Sequence, residues 1–313
     1  MKTLVGLDAL RPPQSGTAVT IGTFDGIHLG HRALIAQTVA IAQERGLESA
    51  VVTWDRHPNV TLRPDKVPPL LTAQERKMEL LDDLKQDLLV VLPFTRELSL
   101  WPPERFAKEV LAAGLGAKAI VVGRGWKFGH GGAGNVELLG ELGSELGFDV
   151  QAIDLESAAG GPVSSSRVRD AVARGDLELA HELLLRPFDI DGIVEHGDDR
   201  GKSLGFPTAN VSVDPRIVRP PRGVYAGRAR VGEQWHVAAI NVGVNPTFGG
   251  DPDTSPIQIE AYLIDFDADL YGQTLRVEFW SRLRDEQKFA TADALIEQME
   301  KDVAETRALV EAR

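Results

Sequence analysis

Cysteine is absent from this 313-residue chain, which excludes a disulfide framework, a zinc–thiolate centre and a thiol nucleophile. Only His and carboxylate metal sites remain open. Long apolar runs are missing too, and no window approaches the roughly 18 to 20 consecutive apolar residues that cross a bilayer. No membrane partner is expected. The opening stretch MKTLVGLDAL places an acid where a secretory leader would continue its apolar run, so the expected location is cytoplasmic. Basic charge is in deficit: 34 Lys and Arg stand against 46 Asp and Glu, and both halves of the chain are acidic. A nucleic-acid binder works through a basic field that displaces counterions, so DNA and RNA are not expected partners. Small anions can still be held locally at helix N-termini. Low-complexity tracts and internal repeats are lacking, and an apolar fraction of 43% is that of an ordinary globular protein. The chain is long enough for about two domains, and a monomer or weak homo-oligomer is expected.

What is present falls into two patterns. From Ala18 to about Ile153, short Val/Ile-rich runs (AVTIG, AVVTW, LLVVL, KAIVVG, VQAI) alternate with amphipathic stretches such as GHRALIAQTVAIAQERG and NVELLGELGSELG. Runs of that kind bounded by Gly or Pro suit strands buried on both faces, and the intervening 3.6-residue spacing suits helices. The pattern predicts a Rossmann-like parallel α/β domain, with ligands beyond the carboxyl ends of its strands. Two short helices follow over VSSSRVRDAVARG and DLELAHELLL, and the pattern changes at Arg186 and Pro187. We therefore expect domains at 1–185 and 186–313. In the second, six β-rich segments from FDIDGIVEH to LRVEFW, with a hairpin turn at Gly232 and Glu233, predict a small antiparallel β-barrel. Leu295, Met299, Val303 and Thr306 recur at helical spacing, predicting a C-terminal helix packed on the barrel.

The first chemical cluster is GTFDGIHLGH, residues 22–31. A strand, a Gly-bearing turn and a helix start let the backbone approach phosphate. His28 and His31, one turn apart, can donate to phosphoryl oxygens as charge develops. A plain helix-start pair, or a metal pair at i,i+3, is the alternative. VSSSRVR offers Ser164, Ser165 and free amides at a helix start with Arg169 nearby, although an ordinary Ser N-cap reads the same way. Asp55 in TWDRHP reads by itself as a turn-forming acid. The second cluster is HGDDRGKSLGFPTAN, where Gly201 and Gly205 bracket Lys202 in a loop suited to phosphates. Thr208 and Asn210 lie two apart and face one side of a strand. One hydroxyl and one amide oxygen there suit a hydrated Mg²⁺, and a polar turn leading into an edge strand is the alternative.

GTFDGIHLGH resembles the HxGH nucleotidylyltransferase superfamily, and the chain as a whole resembles the prokaryotic bifunctional riboflavin kinase/FAD synthetase family. VSSSRVR, TWDRHP and VVGRGWKFGHGGAGN follow the first-domain motifs, with Trp54, Arg56, Gly125 and Trp126 as departures. KSLGFPTAN, RGVYAG, INVGVNPTFGG, IEAYLIDFDADLYG and LRDEQKF follow the kinase motifs in order. The resemblance implies two transferase reactions that use ATP as co-substrate with Mg²⁺: riboflavin to FMN in the C-terminal domain, then FMN to FAD plus pyrophosphate in the N-terminal one. It implies that Gly22, Phe24, His28, Gly30, His31, Ser164, Ser165 and Arg169 bind ATP for adenylylation, with Asp55 and Phe128 toward the flavin. In the kinase it implies ATP at Gly201, Lys202, Gly205, Thr208 and Asn210, metal at Thr208 and Asn210, and flavin at Gly223, Tyr225, Arg284 and Glu286. Glu260 would be the general base, although a lone Glu alternating with apolar neighbours also reads as a solvated strand face. A kinase with a weak or altered adenylyltransferase half, and a non-catalytic flavin-binding regulator, are the alternative functions.

Overall fold

The computed structural model describes residues 1–154, 157–158, 160–197, 204–244 and 257–312. The chain forms two compact units, Met1–Pro68 with Gln74–Ser164 and Pro69–Ala73 with Ser165–Arg313.

The first unit is built on β1 (Lys2–Val5), β2 (Thr17–Ile21), β3 (Glu48–Trp54), β4 (Leu88–Leu92), β5 (Ala117–Gly123) and β6 (Asp149–Ile153). They form one sheet in the order β1-β4-β3-β2-β5-β6, with every pair parallel. All five residues of β2 and of β4 are buried, as expected for strands covered on both faces. The helices are α1 (Leu29–Arg45), α2 (Asn59–Leu62), α3 (Gln74–Asp82), α4 (Pro103–Phe106), which continues in π-type turns over Ala107–Gly114, and α5 (Val136–Leu146). Successive residues of β3 serve opposite faces. Val52 joins Val90, Ile120, Phe106, Leu111 and Leu139 on one side, whereas Val51 joins Leu89, Ile35, Leu80 and Leu81 on the other. Gly46, in the left-handed region at φ 67°, donates to the Ala42 carbonyl and ends α1, the usual reason for glycine there. Edge strand β1 lies outside the expected Ala18–Ile153 alternation. It is mostly exposed, so no apolar periodicity marks it.

Strand order reverses at β2, with β3 on one side and β5 on the other. The crevice of such a sheet opens beyond the carboxyl ends of those strands, and the segments leaving β2 and β5 are Gly22–His28 and the loop after Gly123. A two-residue ribbon, β7 (Ser157–Ala158) with β8 (Gly161–Pro162), follows β6.

The second unit begins with α6 (Ser165–Arg174) and α7 (Leu177–Leu184), then β9 (Phe188–Glu195), β10 (Ala209–Val213), β11 (Gly223–Val231), β12 (Gln234–Val244), β13 (Ile257–Leu263), β14 (Thr274–Arg284) and α8 (Ala292–Glu311). The six strands close a barrel in the order β10-β13-β12-β11-β14-β9. Val231 pairs with Gln234 across the Gly232–Glu233 turn, and Gly232 takes φ 56° there. Ile240, Val242, Ile259, Ala261, Val277 and Phe279 are buried. Helix α8 packs on β11, β12 and β14, and α7 on β14 and β9. A short piece from the first half of the sequence belongs here as well: Leu70 accepts from Val218 N at 2.8 Å and donates to Arg216 O at 2.7 Å. Among the described residues no helix is long and apolar enough to cross a membrane.

Candidate functional site

In the first unit the Gly22–His28 segment is wound tightly. Phe24 at φ 49° and Ile27 at φ 46° are non-glycine residues in the left-handed region, with Gly26 at φ 84° between them. Each such residue costs roughly 1–2 kcal/mol, and burial offsets it: both side chains are fully buried against Leu80 and Leu81 of α3. Phe24 is therefore a core anchor for the loop, and Gly22, whose Cβ would lie 3.1 Å from its ring, is the face above it. His28 caps α1, its Nδ1 accepting from the His31 N–H at 3.3 Å. That bond leaves the neutral ring's proton on Nε2, the form that donates. The His28 and His31 rings stack at 3.6 Å with 15° between planes, and Gly30 is buried in the first turn. His28 thus serves as a helix-start cap while the backbone donors of the first turn stay at the helix start.

Beside this loop lies a cavity of 610 Å³ lined by Gly22, Thr23, Trp54, Phe106, Trp126 and Phe128 among others. Trp126 stacks on Phe128 at 4.7 Å and 12°, and Trp54 meets Phe94 edge-on at 5.1 Å. His130 N donates to Trp101 O at 2.8 Å, tying the loop after β5 to the Leu98–Trp101 turn. The cavity has room for a planar aromatic ligand, and the start of α1 lies at the end of the same Gly22–His28 segment. Gly125, a departure from the resembled motif, has nothing within 4 Å of where its Cβ would be, whereas Trp126 adds aromatic wall.

Asp55 caps the segment beyond β4. Its Oδ1 accepts from Phe94 N at 2.9 Å, and its Oδ2 from Arg56 Nη2 at 2.7 Å. Burial raises its pKa, but the hydrogen bonds from Arg56 and Phe94 outweigh burial and hold the carboxyl below the ordinary range. Ser164 ends the first unit, while Ser165 and Arg169 open the second on α6. Arg169 Nε donates to Pro69 O at 2.6 Å.

In the second unit, Thr208 lines two cavities at once. One, of 340 Å³, is bounded by Glu260, Tyr262, Arg284, Glu286, Phe289 and Met299 among others. The other, of 520 Å³, is bounded by Asn210, Asp267, Asp269 and Tyr271 among others. Asn210 stands opposite Glu260 across β10–β13, and Asn241 stands opposite Glu260 across β12–β13. Directly opposed residues share a face of the sheet, so an amide, a carboxylate and a second amide form one row. Gly197 is required there, because a Cβ at that position would overlap the Asn210 side-chain amide. Gly197→Ala should accordingly displace that amide.

Arg284 Nε and Nη2 pair with the buried Asp302 carboxylate of α8 at 2.9 and 2.6 Å. The guanidinium is thereby fixed at the cavity by a bidentate pair. Glu286 also lines this cavity, next to Gly243, where a Cβ would run into its carboxylate. Tyr225 is not brought to either cavity. It is fully buried inside the barrel, edge-on to Phe279, with its hydroxyl donating to Pro221 O, and burial raises its pKa. Gly223, at φ 152°, packs on the Arg284 backbone instead. Gly205 takes φ 87°. Gly201 and Lys202 lie outside the described residues. Asp302, Asn241 and the aromatic set Phe94, Trp101 and Phe106 escaped the sequence reading. Only topology places them at the cavities.

The chain matches the FAD synthetase family over residues 10–167 and the riboflavin kinase family over residues 184–310. The bifunctional riboflavin kinase/FMN adenylyltransferase of Listeria monocytogenes is 38% identical over 93% of this chain and 91% of its own length. Those of Pseudomonas fluorescens and Escherichia coli K12 are 38% and 36% identical, covering 99% and 96% of this chain and 98% and 96% of their own lengths. The chain belongs to this bifunctional family. It phosphorylates riboflavin with ATP to FMN and adenylylates FMN with ATP to FAD. A solved structure described as a macrolide-efflux protein from Streptococcus pneumoniae matches with a TM-score of 0.87 at 28% identity, over 98% of this chain and 99% of its own. The two-part fold is therefore shared along the full length.

Proposed function

We propose that the kinase reaction runs across Thr208, with riboflavin in the 340 Å³ cavity and the ATP phosphates in the 520 Å³ one. What supports this reading is that Thr208, alone among the described residues, lines both cavities, so that an acceptor alcohol and a donor phosphate would meet on two sides of one hydroxyl. Glu260, on the riboflavin side, takes the proton of the ribityl 5′-hydroxyl as its oxygen bonds the γ-phosphorus and the bond to ADP breaks. Arg284 and Glu286 position the flavin, Arg284 being held by Asp302. Thr208 and Asn210 are neutral oxygen donors on the phosphate side. Such a pair fits Mg²⁺, which keeps several waters and takes its charge balance from substrate phosphates. Among the described residues no cluster of three His, Asp or Glu side chains competes for a metal. The ion would neutralise charge on the transferring phosphoryl group.

In the first unit we assign His28 and His31 to the phosphates of the second ATP, donating as an FMN phosphate oxygen attacks the α-phosphorus and pyrophosphate leaves. Gly22 and Gly30 let the backbone approach. Ser164, Ser165 and Arg169 receive the departing pyrophosphate, and Phe128, with Trp126 and Trp54, packs on the flavin. On this assignment residues 1–185 serve adenylylation and 186–313 phosphorylation, in a cytoplasmic, ATP-supplied setting.

The test of the metal pair is a magnesium titration. Asn210→Ala should raise the Mg²⁺ needed for half-maximal FMN formation about tenfold, as loss of a ligand-supporting group does, and leave FAD formation from supplied FMN unchanged. An unaltered magnesium requirement would remove Asn210 from the site.

A further inference from the structure

Lys77 is a buried lysine at the foot of the first site, and no assigned step uses it. It lies on α3 and is 7% exposed. Its Nζ donates to Trp54 O at 3.0 Å and lies 3.5 Å from Thr53 Oγ1, both at the carboxyl end of β3. Thr53 Oγ1 in turn donates to Thr23 O at 3.2 Å, inside the Gly22–His28 loop. Leu80 and Leu81, three and four residues further along α3, belong to the same buried cluster as Phe24 and Ile27. Residues so spaced share a helix face. One face of α3 therefore underpins the strained loop with two apolar contacts and one ammonium.

The charges that act on this ammonium are Asp25 from the loop and Asp55 from the end of β3. Its helix neighbours Arg76 and Glu79 pair with each other at 3.1 Å, and Asp55 is itself paired with Arg56. We infer that Lys77 is a positioning residue for adenylyl transfer: its ammonium holds the Gly22–His28 loop against the carboxyl end of β3, and deprotonation loosens that hold. The inference rests on the assignment of His28 and His31 to that reaction, since the loop sets where α1 begins. Lys77 does not line the cavity, so it acts through the loop and not on a substrate.

Burial pulls the Lys77 pKa from 10.5 down to about 8, against the opposing pull of Asp25 and Asp55. The ammonium is therefore lost within an accessible pH range. The sign of the accompanying stability change is opposite to that of the activity change. An unfolded lysine titrates near 10.5, so between about pH 8 and that value the unfolded chain binds more protons, and the fold gains stability as pH rises. Activity that falls while stability does not fall separates positioning from simple unfolding.

The experiment measures FAD formation from FMN and FMN formation from riboflavin on the full-length protein, from about pH 6.5 to about 9.5, with unfolding temperatures alongside. The native protein should lose about tenfold in kcat for FAD formation through one step centred near pH 8, with no matching step in FMN formation. Lys77→Met should give a flat profile at the native protein's high-pH level. Lys77→Arg, which keeps a cation, should restore the low-pH rate and carry no step. A native profile without a step between about pH 7 and 9 overturns the inference, as does a Lys77→Met protein that keeps the step. If both variants fail to fold, the native profile alone decides. His31→Ala is included to separate the two claims. If it leaves FAD formation intact, the site assignment fails; if it abolishes FAD formation while the Lys77 step is missing, only the positioning role fails.

Discussion

Glu260→Gln is expected to lower FMN formation from riboflavin by about 10²–10⁴-fold, the usual worth of a general base, while FAD formation from supplied FMN continues. A primary alcohol is a poor nucleophile, and a neutral amide in the same place can hold the hydroxyl but cannot take its proton. The substitution conserves volume, and Glu260 already stands between Asn210 and Asn241, so a third amide in that row should leave the barrel folded. KM for riboflavin should change little, since the loss falls on a group that works in the transition state. A rate within threefold of the native one would assign the base elsewhere.

His31→Ala should give the mirror result, with FAD formation down by about 10²–10³-fold, the cost of losing one donor to developing charge, and FMN formation unaltered. The side chain stacks on His28 and sits edge-on to Phe24, so its removal also frees the His28 ring. We therefore expect the loss in kcat to come with a rise in KM for ATP. Thin-layer or liquid chromatography of the flavins reads both predictions in one assay: riboflavin persists in the first variant, and FMN accumulates in the second. If either substitution abolished both reactions in a folded protein, the division of labour between the units would be wrong.

Much of the architecture was legible because its signals are local. The buried Val/Ile runs of β2 to β5 and the Gly232–Glu233 hairpin each announce themselves within a few residues. Edge strand β1 did not, because KTLV is largely exposed and carries no apolar period. The candidate site was legible where it consists of contiguous strings, as in GTFDGIH and GFPTAN. It was illegible where it depends on residues brought in by topology. Asp302 reads as one more acid on an acidic helix until the barrel sets it against Arg284. Lys77 reads as a solvated helix lysine until α3 is seen to lie over the strained loop. Tyr225 shows the opposite case: its GVY string looks like a ligand segment, and the structure buries its ring edge-on to Phe279.

The closure of that barrel also orders events during synthesis. Its first strand β9 pairs with its last, β14, so the ring cannot be sealed before Thr274–Arg284 has left the ribosome, and α8 can be laid on only afterwards. Translation proceeds at about 5–20 residues per second, and domains form from the amino end. The parallel sheet, complete by Ile153, therefore has several seconds to fold ahead of the barrel. Leu70, made early, must wait for Arg216 and Val218. Of the two folds, the sheet that carries the second reaction is thus the first that the cell can finish building.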